Sequence, residues 1–378
     1  MITIPFNVPY ISPNAVASVA ASLQSGKLAG DGPETKLATS ILSGMFNEAD
    51  VLLTPSCTHA LELAVRLIGV GPGDEVIVPS YTFTSTANAI VMAGGIPVFV
   101  DIEPSTQNID IDQVDAAITS RTKAVFCINY AGVSPDLPKL AALCDSRSVL
   151  LLEDNAHGLG AKSHNRNLGT FAKLATQSFH ETKNIQCGEG GCLVINDPHY
   201  LEEAEVLREK GTNRSRFFRG QVDKYTWVEA GSSWLLADPL AALLRSQLEH
   251  FAEIQKMRAD IWNRYSADLE EWSQNSGVTK MAVPITCEQP FHMYYLIMRS
   301  LEDRSNFINH LRGRGVMAAF HYQPLHSSQA GTKYGRTLGE LPFTQRAADC
   351  LVRLPLWAGM KRSEIDQVVE AVTTFQTA

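Results

Sequence analysis

Residues 149–154 read Val-Leu-Leu-Leu-Glu-Asp, and residues 178–184 read Ser-Phe-His-Glu-Thr-Lys-Asn. The first stretch is an apolar run of strand length that ends in carboxylates, and such a run is typical of a strand buried inside a parallel sheet. A second run of strand length, residues 175–180, ends three residues before Lys183. Ligands of open parallel sheets bind beyond the carboxyl ends of the strands. Asp154 and Lys183, 29 positions apart, are therefore predicted to face one crevice.

A lysine and an aspartate at such an edge indicate a site for pyridoxal 5'-phosphate (PLP). This cofactor needs a Schiff-base lysine and an acidic partner for its pyridine nitrogen. A charge-assisted contact of that kind contributes roughly 1.5–3 kcal/mol. The motif Gly188-Glu189-Gly190-Gly191 follows the lysine closely. An isolated lysine is usually a solvated surface charge and an isolated aspartate often caps a turn, so the prediction depends on the combination.

Strand and helix patterns alternate through the first part of the chain. Short apolar, β-branched runs predict strands at residues 51–54, 75–79, 96–101, 123–129, 149–154, 175–180 and 191–196. Helical spacing of apolar residues lies between most of them, at residues 58–69, 85–93, 112–119, 137–146 and 198–210. This alternation predicts an α/β fold with a mostly parallel, seven-stranded sheet covered on both faces.

The pattern changes after about residue 235. A long helix is predicted over residues 239–269, strands near 292–299 and 316–321, and helices near 304–314 and 363–374. We therefore expect a large cofactor-binding domain with an N-terminal arm at residues 1–238 and a smaller α+β domain at residues 239–378.

Composition and charge are those of an ordinary globular protein. Hydrophobic residues make up 45% and charged residues 19%, and 32 Lys and Arg face 40 Asp and Glu, a net charge of −8. No basic run suggests a nucleic-acid partner. The seven cysteines have no paired C-x-x-C spacing, so neither disulfides nor a metal site is predicted. Reduced cysteines and the lack of a signal-peptide pattern favour the cytoplasm.

The uncharged run at residues 76–100 is the one stretch that invites a membrane interpretation. Prolines, glycines and hydroxyl side chains interrupt it. We expect strand, loop, helix and strand there, and no membrane span.

Further candidates follow other predicted strands. Ser56-Cys57-Thr58 opens a helix, and its free amides and hydroxyls suit a phosphate, although plain N-capping explains such a triplet equally well. His157 is a candidate for contact with the cofactor ring or its phenolic oxygen, and Phe83 for stacking on the opposite face. Alternatively, His157 is an ordinary polar residue without a catalytic role, and Phe83 packs in the core.

With these residues assembled, the chain resembles the DegT/DnrJ/StrS family of nucleotide-sugar aminotransferases, in the fold-type I PLP class, over nearly its whole length. The segments that carry the resemblance are residues 25–32, 53–58, 79–83, 154–158, 178–184, 188–191, 322–326 and 353–356. The resemblance implies Lys183 as the Schiff-base lysine, Asp154 as the pyridinium partner, and Cys57, Thr58 and Ser178 around the phosphate.

Two positions depart from the family pattern, and a third departs from the nearest branch. Many members have Asn, supplied to the phosphate from the neighbouring subunit, where this chain has Ser233, and Arg where it has Leu235. A serine hydroxyl at position 233 could take over the phosphate contact. His157 stands where the nearest branch often has Gln, a change found elsewhere in the family.

The resemblance also implies an activity. Residues 208–215 and 217–227 are similar to the branch that converts TDP-4-oxo-6-deoxy-D-glucose to TDP-4-amino-4,6-dideoxy-D-galactose, with L-glutamate as the expected amino donor. A homodimer with composite active sites is implied, because residues 214–233 resemble a segment that crosses to the neighbouring subunit. Candidates for contact with the sugar or diphosphate, each as often a solvated surface residue, are Lys27, Lys210, Arg214, Arg219 and His326.

Several alternatives stay open. Another nucleotide-sugar 3- or 4-aminotransferase is the closest one, and the nucleotide is TDP or UDP. Sugar dehydratases of this fold have histidine in place of the lysine, so Lys183 argues against them. PLP-binding regulators carry a DNA-binding domain ahead of the fold, whereas the resemblance here begins at about Pro5. Both cell-surface polysaccharides and glycosylated natural products use such amino sugars.

Overall fold

The computed structural model describes residues 3–376. Within that range the chain forms fifteen strands: β1 (Asp50–Thr54), β2 (Glu75–Pro79), β3 (Ile96–Val100), β4 (Thr122–Ile128), β5 (Leu150–Asp154), β6 (Lys162–Ser163), β7 (Arg166–Asn167), β8 (Leu174–Ser178), β9 (Gly191–Ile195), β10 (Thr279–Lys280), β11 (Cys287–Glu288), β12 (Tyr294–Ile297), β13 (Ala319–Phe320), β14 (Arg336–Thr337) and β15 (Leu351–Leu354).

The same range contains fifteen α-helices and two short 3₁₀ turns. The helices are α1 (Ala15–Gln24), α2 (Pro33–Met45), α3 (Cys57–Leu67), α4 (Thr84–Met92), α5 (Ile111–Ala117), α6 (Leu137–Ser146), α7 (Leu201–Arg208), α8 (Arg214–Phe218), α9 (Asp238–Glu249), α10 (Phe251–Asp268), α11 (Glu270–Ser276), α12 (Leu301–Gly313), α13 (Gln329–Tyr334), α14 (Pro342–Cys350) and α15 (Arg362–Thr373). The 3₁₀ turns are Tyr130–Gly132 and Pro198–Tyr200.

The large sheet has the order β1-β9-β8-β5-β4-β2-β3-β14. All neighbouring pairs from β8 to β14 are parallel, and β9 alone runs against both of its neighbours. The predicted α/β class and the mostly parallel sheet are confirmed. All seven predicted strands are present, and the two-residue strand β14 adds an eighth at the edge. Two residues are too few for a periodic pattern, so the sequence did not predict β14.

Both faces of this sheet are covered, as the apolar strands require. Val76 and Val78 of β2 belong to the core cluster that includes α3 and α4, whereas Ile77 between them belongs to the cluster under α5 and α6. Alternating side chains of a strand point to opposite faces, so one five-residue strand serves two cores. The helices predicted for this region are all found.

A second, antiparallel sheet in the later part of the chain has the order β10-β12-β15-β13. The strands predicted near 292–299 and 316–321 are β12 and β13, and the predicted helices are α12 and α15. Strand β15 was not predicted. It lies between β12 and β13 and places Arg353 opposite Tyr295 on one side and Ala319 on the other. A three-stranded ribbon, β11-β6-β7, joins this half to the loop after β5.

The prediction of one long helix over residues 239–269 is wrong, because the helix breaks at His250. The backbone there departs from helical geometry (φ −104°, ψ 17°), and its amide donates to Gln247 in a tight turn. No proline or glycine marks the break. It lets α9 pack on α1 and α2, while α10 continues toward residues 291 and 292. The domain boundary at residue 238 stays a prediction.

Asp238 connects the start of α9 to the start of α2. Helix α2 begins after Gly32, which has no side chain to cap it, and the Asp238 carboxylate accepts instead from the amides of Glu34 (3.2 Å) and Thr35 (2.9 Å) and from the Thr35 hydroxyl (2.8 Å). A Cβ at position 32 would lie 2.5 Å from the Asp238 Cγ, so this approach requires glycine. A long-range contact thus caps α2.

We expect Asp238→Ala to lower the free energy of unfolding by about 2 kcal/mol or more, because it removes a buried cap and three hydrogen bonds to a charged group. Asp260→Ala is the matched control. Asp260 pairs with Lys256 on exposed surface, where an ion pair contributes about 0.5 kcal/mol or less. Urea unfolding checks both variants, and equal destabilisation would contradict the capping role.

Candidate active site

A cavity of about 490 Å³ lies at the carboxyl ends of the parallel strands. Asp154 reaches it from the end of β5, Ser178 from the end of β8, and Lys183 from the loop that follows. The starts of α3 and α4 form another wall, and His292, His321 and Arg353 from the second half of the chain complete it. Its volume is in the range of cofactor sites.

The Lys183 amine lines this cavity without a hydrogen bond or ion pair to any of residues 3–376. Burial lowers its pKa from 10.5 to about 8, and the nearby Arg353 cation adds to the effect. With a pKa near 8, roughly one amine in ten is unprotonated at pH 7, against roughly one in three thousand at the ordinary value. The site thus raises the fraction of the neutral form, which is the nucleophilic one, although the cation still predominates at pH 7.

Asp154 is 5% exposed, and its carboxylate accepts only from neutral donors. The Thr86 hydroxyl donates to Oδ2 at 2.8 Å and the Ala156 amide to Oδ1 at 3.2 Å. Burial raises its pKa, an effect that these hydrogen bonds and the Lys183 charge oppose. A buried carboxylate without an ion pair is unfavourable unless a cation comes next to it. A protonated pyridine ring fits that requirement.

The start of α3 offers a site for a phosphate. The Ser56 hydroxyl caps the helix by accepting from the His59 amide, whereas the amides of Cys57 and Thr58 have no acceptor within residues 3–376. Gly191 at the start of β9 lies against this turn, where an added Cβ would come 2.4 Å from the Cys57 amide nitrogen. Free amides at the positive end of a helix bind anions. Capping and phosphate binding coexist here.

Three histidine rings lie beside Lys183. His157 stacks on His292 with ring centroids 4.5 Å apart, and His321 lies parallel at 6.3 Å. Burial lowers the pKa of all three well below the ordinary value. The Ala131 amide donates to His157 Nδ1, so the neutral ring carries its proton on Nε2. His157 is thus a neutral donor in the cavity wall.

Phe83 and Arg353 lie at other parts of the wall. Phe83 is 58% exposed and lies 6.3 Å from the Tyr322 ring, so it is not a core residue. Arg353 sits over the Phe6 ring at 4.9 Å and has no acidic partner within residues 3–376. Its Nε is buried without a hydrogen bond. Its Nη1 lies 3.4 Å from His321 Nε2. A guanidinium in a cavity without a neighbouring carboxylate can receive a carboxylate or a phosphate.

The cavity therefore brings together Lys183, Asp154, Cys57, Thr58, Phe83, His157 and Ser178, and their individual roles stay predictions. The other predicted site residues lie outside the cavity of their own chain. Lys210 and Arg214 pair with Glu209, and Arg219 pairs with Glu205. His326 Nδ1 lies 2.7 Å from the Ser80 hydroxyl, and Lys27 and Ser233 are exposed. Arg214 and Arg219 line a second recess of about 550 Å³.

Sequence reasoning did not assign roles to His292, His321, Arg353 or Thr86. The first three come from segments far along the chain and enter the site through packing of the second sheet. A signal existed for Arg353, because residues 353–356 belong to the family pattern. Thr86 lies inside an amphipathic helix, where one more hydroxyl gives no signal.

Residues 3–376 contain neither a cluster of metal ligands nor a helix that could span a membrane. No group of three or more His, Cys, Asp or Glu side chains within residues 3–376 is arranged to hold a metal ion. None of the helices in that range is both long and apolar enough to cross a bilayer.

Comparison with known proteins agrees with the geometry. The DegT/DnrJ/EryC1/StrS aminotransferase family matches residues 9–373. The spore coat polysaccharide biosynthesis protein SpsC of Bacillus subtilis is 30% identical over 98% of this chain and 96% of its own. The aminotransferase TlmJ of Streptoalloteichus hindustanus superposes with a TM-score of 0.89 at 31% identity, covering 99% and 98% of the two chains.

A second similar structure contains the cofactor. Spr1654 of Streptococcus pneumoniae, named as a sugar aminotransferase, was solved in its PLP form and matches with a TM-score of 0.90 at 28% identity over 98% of each chain. The family match covers almost all of the chain, and the cavity residues fit the cofactor. The chain belongs to the DegT/DnrJ/EryC1/StrS family and is a PLP-dependent aminotransferase.

Proposed function

We propose that the enzyme transfers the amino group of L-glutamate to C4 of TDP-4-oxo-6-deoxy-D-glucose and produces TDP-4-amino-4,6-dideoxy-D-galactose. The observation that carries the proposal is that the Lys183 amine and the buried Asp154 carboxylate line the same cavity. The sugar specificity rests on residues 208–215 and 217–227, whose sequence resembles that branch of the family. The seven free cysteines suit the reducing cytoplasm that we propose as its location.

PLP, when bound, supplies an electron-withdrawing ring that stabilises negative charge at the carbon next to the transferred nitrogen. Asp154 would hold the ring nitrogen, the amides of Cys57 and Thr58 and the hydroxyl of Ser178 would hold the phosphate, and Phe83 would cover one ring face. His157 would donate from Nε2 toward the ring oxygen. These contacts fix the ring relative to Lys183.

Lys183 performs the proton transfers. Its Nζ takes a proton from the α-carbon of the amino donor in the first half of the reaction and delivers one to C4 of the sugar in the second. A pKa lowered to about 8 suits a group that must both accept and release a proton near neutral pH. Because Lys183 lies on one side of the site, the face of the sugar carbonyl presented to it decides the configuration at C4.

Arg353 supports an acidic amino donor. The cavity wall carries this cation without an acidic partner, while the three neighbouring histidines are neutral. L-Glutamate brings two carboxylates into the site, and a guanidinium binds a carboxylate through two parallel hydrogen bonds. The cation also disfavours donors that are themselves cationic.

We expect Lys183→Ala to abolish turnover, because no other amine of residues 3–376 lines the cavity to carry the proton. Lys139→Ala, which alters an exposed pair with Asp112, is the matched control and should keep wild-type activity. Borohydride treatment followed by mass spectrometry should find cofactor covalently attached to the wild type and the control only. Retained activity and retained attachment in Lys183→Ala would reject the assignment.

The substrate proposal is tested by incubating the holoenzyme with L-glutamate and a panel of TDP- and UDP-linked 3-oxo and 4-oxo sugars. We expect TDP-4-oxo-6-deoxy-D-glucose to be preferred and the new amine to be axial. Small proton NMR couplings between H4 and its neighbours would support the galacto product. Large trans-diaxial couplings, or amination at C3, would contradict it.

We further propose that the enzyme is a homodimer whose active sites use residues of both subunits. The basic candidates Lys27, Lys210, Arg214 and Arg219 and the hydroxyl of Ser233 lie outside the cavity of their own chain, so another chain must bring them to a substrate. The segment that contains most of them also exposes aromatic side chains, with Phe218 69% and Trp227 75% exposed. Exposed apolar side chains in a continuous patch are typical of an interface.

Sedimentation at assay concentration should therefore give a dimer, and activity should fall on dilution below its dissociation constant. Trp227→Glu should weaken the dimer and lower activity together, because the charge would be buried in the interface. Glu288→Lys, on the exposed ribbon strand β11, is the control. A fully active monomer would refute the proposal.

A further inference from the structure

His292 touches two parts of the active site at once. It lies in the segment that leads into β12, it is 4% exposed, and its ring stacks on His157 with an interplanar angle of 24°. Its Nδ1 also lies 2.9 Å from the side-chain oxygen of Asn184, the residue that directly follows Lys183. His292 thus joins the wall beside Asp154 to the loop that carries the lysine.

The contacts of Asn184 fix its orientation and that of His292. The Asn184 amide nitrogen donates to the Pro290 carbonyl at 2.7 Å and to Gln255 Oε1 at 2.9 Å. A carbonyl only accepts, so this side of the amide must be the NH₂ group, and its oxygen faces His292. His292 Nδ1 is therefore the donor. Three hydrogen bonds hold the residue next to Lys183, and all three partners come from the second half of the chain.

Arg258 of α10 fixes the backbone on which His292 sits. This side chain is 3% exposed and donates to the carbonyls of Phe291 (3.0 Å), His292 (2.6 Å) and Leu356 (3.4 Å). Burial lowers its pKa to about 9, so it stays a cation at neutral pH. It has no acidic partner within residues 3–376. Charge-assisted bonds to two successive carbonyls leave the His292 main chain little freedom.

We propose that His292 is a positioning residue for the transamination: through Asn184 it sets the place of Lys183, and through the stack it sets the ring plane of His157. The proposal rests on the role assigned to Lys183 above. The Lys183 amine must serve two carbon atoms in turn, and a misplacement of about 1 Å can cost a proton transfer on the order of 100-fold. A residue that holds the lysine loop and the His157 ring together keeps that geometry constant.

Two variants separate the two contacts of His292, and a third variant is the control. His292→Phe keeps an aromatic plane for the stack and loses the donor to Asn184. His292→Gln keeps a donor and loses the plane. His310→Phe is the matched control, because His310 is a half-buried histidine on α12 with its own hydrogen bond to the Ala371 carbonyl, away from the cavity. If His292→Phe does not retain cofactor, Asn184→Ser removes the same contact from the other side and takes its place.

Two readouts are made on holoenzyme. The first is the rate of the L-glutamate half-reaction per bound cofactor, which needs no sugar substrate. We expect His292→Phe to lower this rate by about 10- to 100-fold with the donor KM within about threefold, and His292→Gln to recover most of it. The second is the midpoint of the pH titration of the cofactor's visible band, which should move by about half a unit or more in His292→Phe and not in His310→Phe.

A purely structural role would lower thermal stability and cofactor occupancy but leave the half-reaction rate per bound cofactor unchanged. A rate for His292→Phe within about threefold of wild type, or an equal loss in His310→Phe, overturns the proposal. If wild-type holoenzyme does not react with L-glutamate, the donor assignment fails separately. The titration midpoint then decides for His292, and an unchanged midpoint overturns its role.

Discussion

The active site depends on two consecutive carboxylates at the end of β5 that point to opposite faces of the sheet. Glu153 is fully buried, and its carboxylate accepts from the amides of Gly169, Phe171 and Ala172 and from the side chain of Asn129. Those bonds hold the loop that leads into β8. Asp154, one residue later, faces the cavity. Successive side chains of a strand point to opposite faces of the sheet. Glu153 therefore stabilises the loop on one face, while Asp154 faces the cavity that fits the cofactor.

The loop held by Glu153 determines where Lys183 can be. It sets β8 in register with β5, so that Asp154 lies opposite Thr176 and the chain leaves the sheet two residues later. The turn after β8 then returns Lys183 to the same edge. Burial raises the pKa of Asp154 and lowers that of Lys183, so each group is less favourable as an ion in this cavity than in water. A cofactor with a basic ring nitrogen would provide a cation for Asp154, and its aldehyde would react with the neutral amine of Lys183.

The second half of the chain supplies the wall that determines what else can enter. Its contribution includes the Arg353 cation, which has no acidic partner within residues 3–376, and two neutral histidines that stack beside His157. A positively charged wall next to the lysine suits an acidic amino donor. The nucleotide end of the acceptor is different, because the basic residues expected to bind it lie outside this cavity and pair with Glu205 and Glu209. In the homodimer proposed above, a second subunit would bring such residues to the diphosphate.

The sequence by itself determined the α/β class, the seven main strands and the place of Lys183 and Asp154 at one edge of the sheet, while the chemistry of these two residues stays a prediction. These features are local: a run of apolar residues specifies a buried strand, and a polar residue at its end has only one edge of the sheet to occupy. Periodicity did not predict the break at His250, because a local turn without proline or glycine forms it. It did not predict the two-residue strand β14 either, because β14 is defined by its pairing with the distant strand β3. The tertiary structure alone decided that His292, His321 and Arg353 face the same cavity as Lys183, and that the buried Thr86 hydroxyl donates to Asp154. Their places follow from how two sheets pack, and no pattern along the chain encodes which side chains meet when distant segments come together.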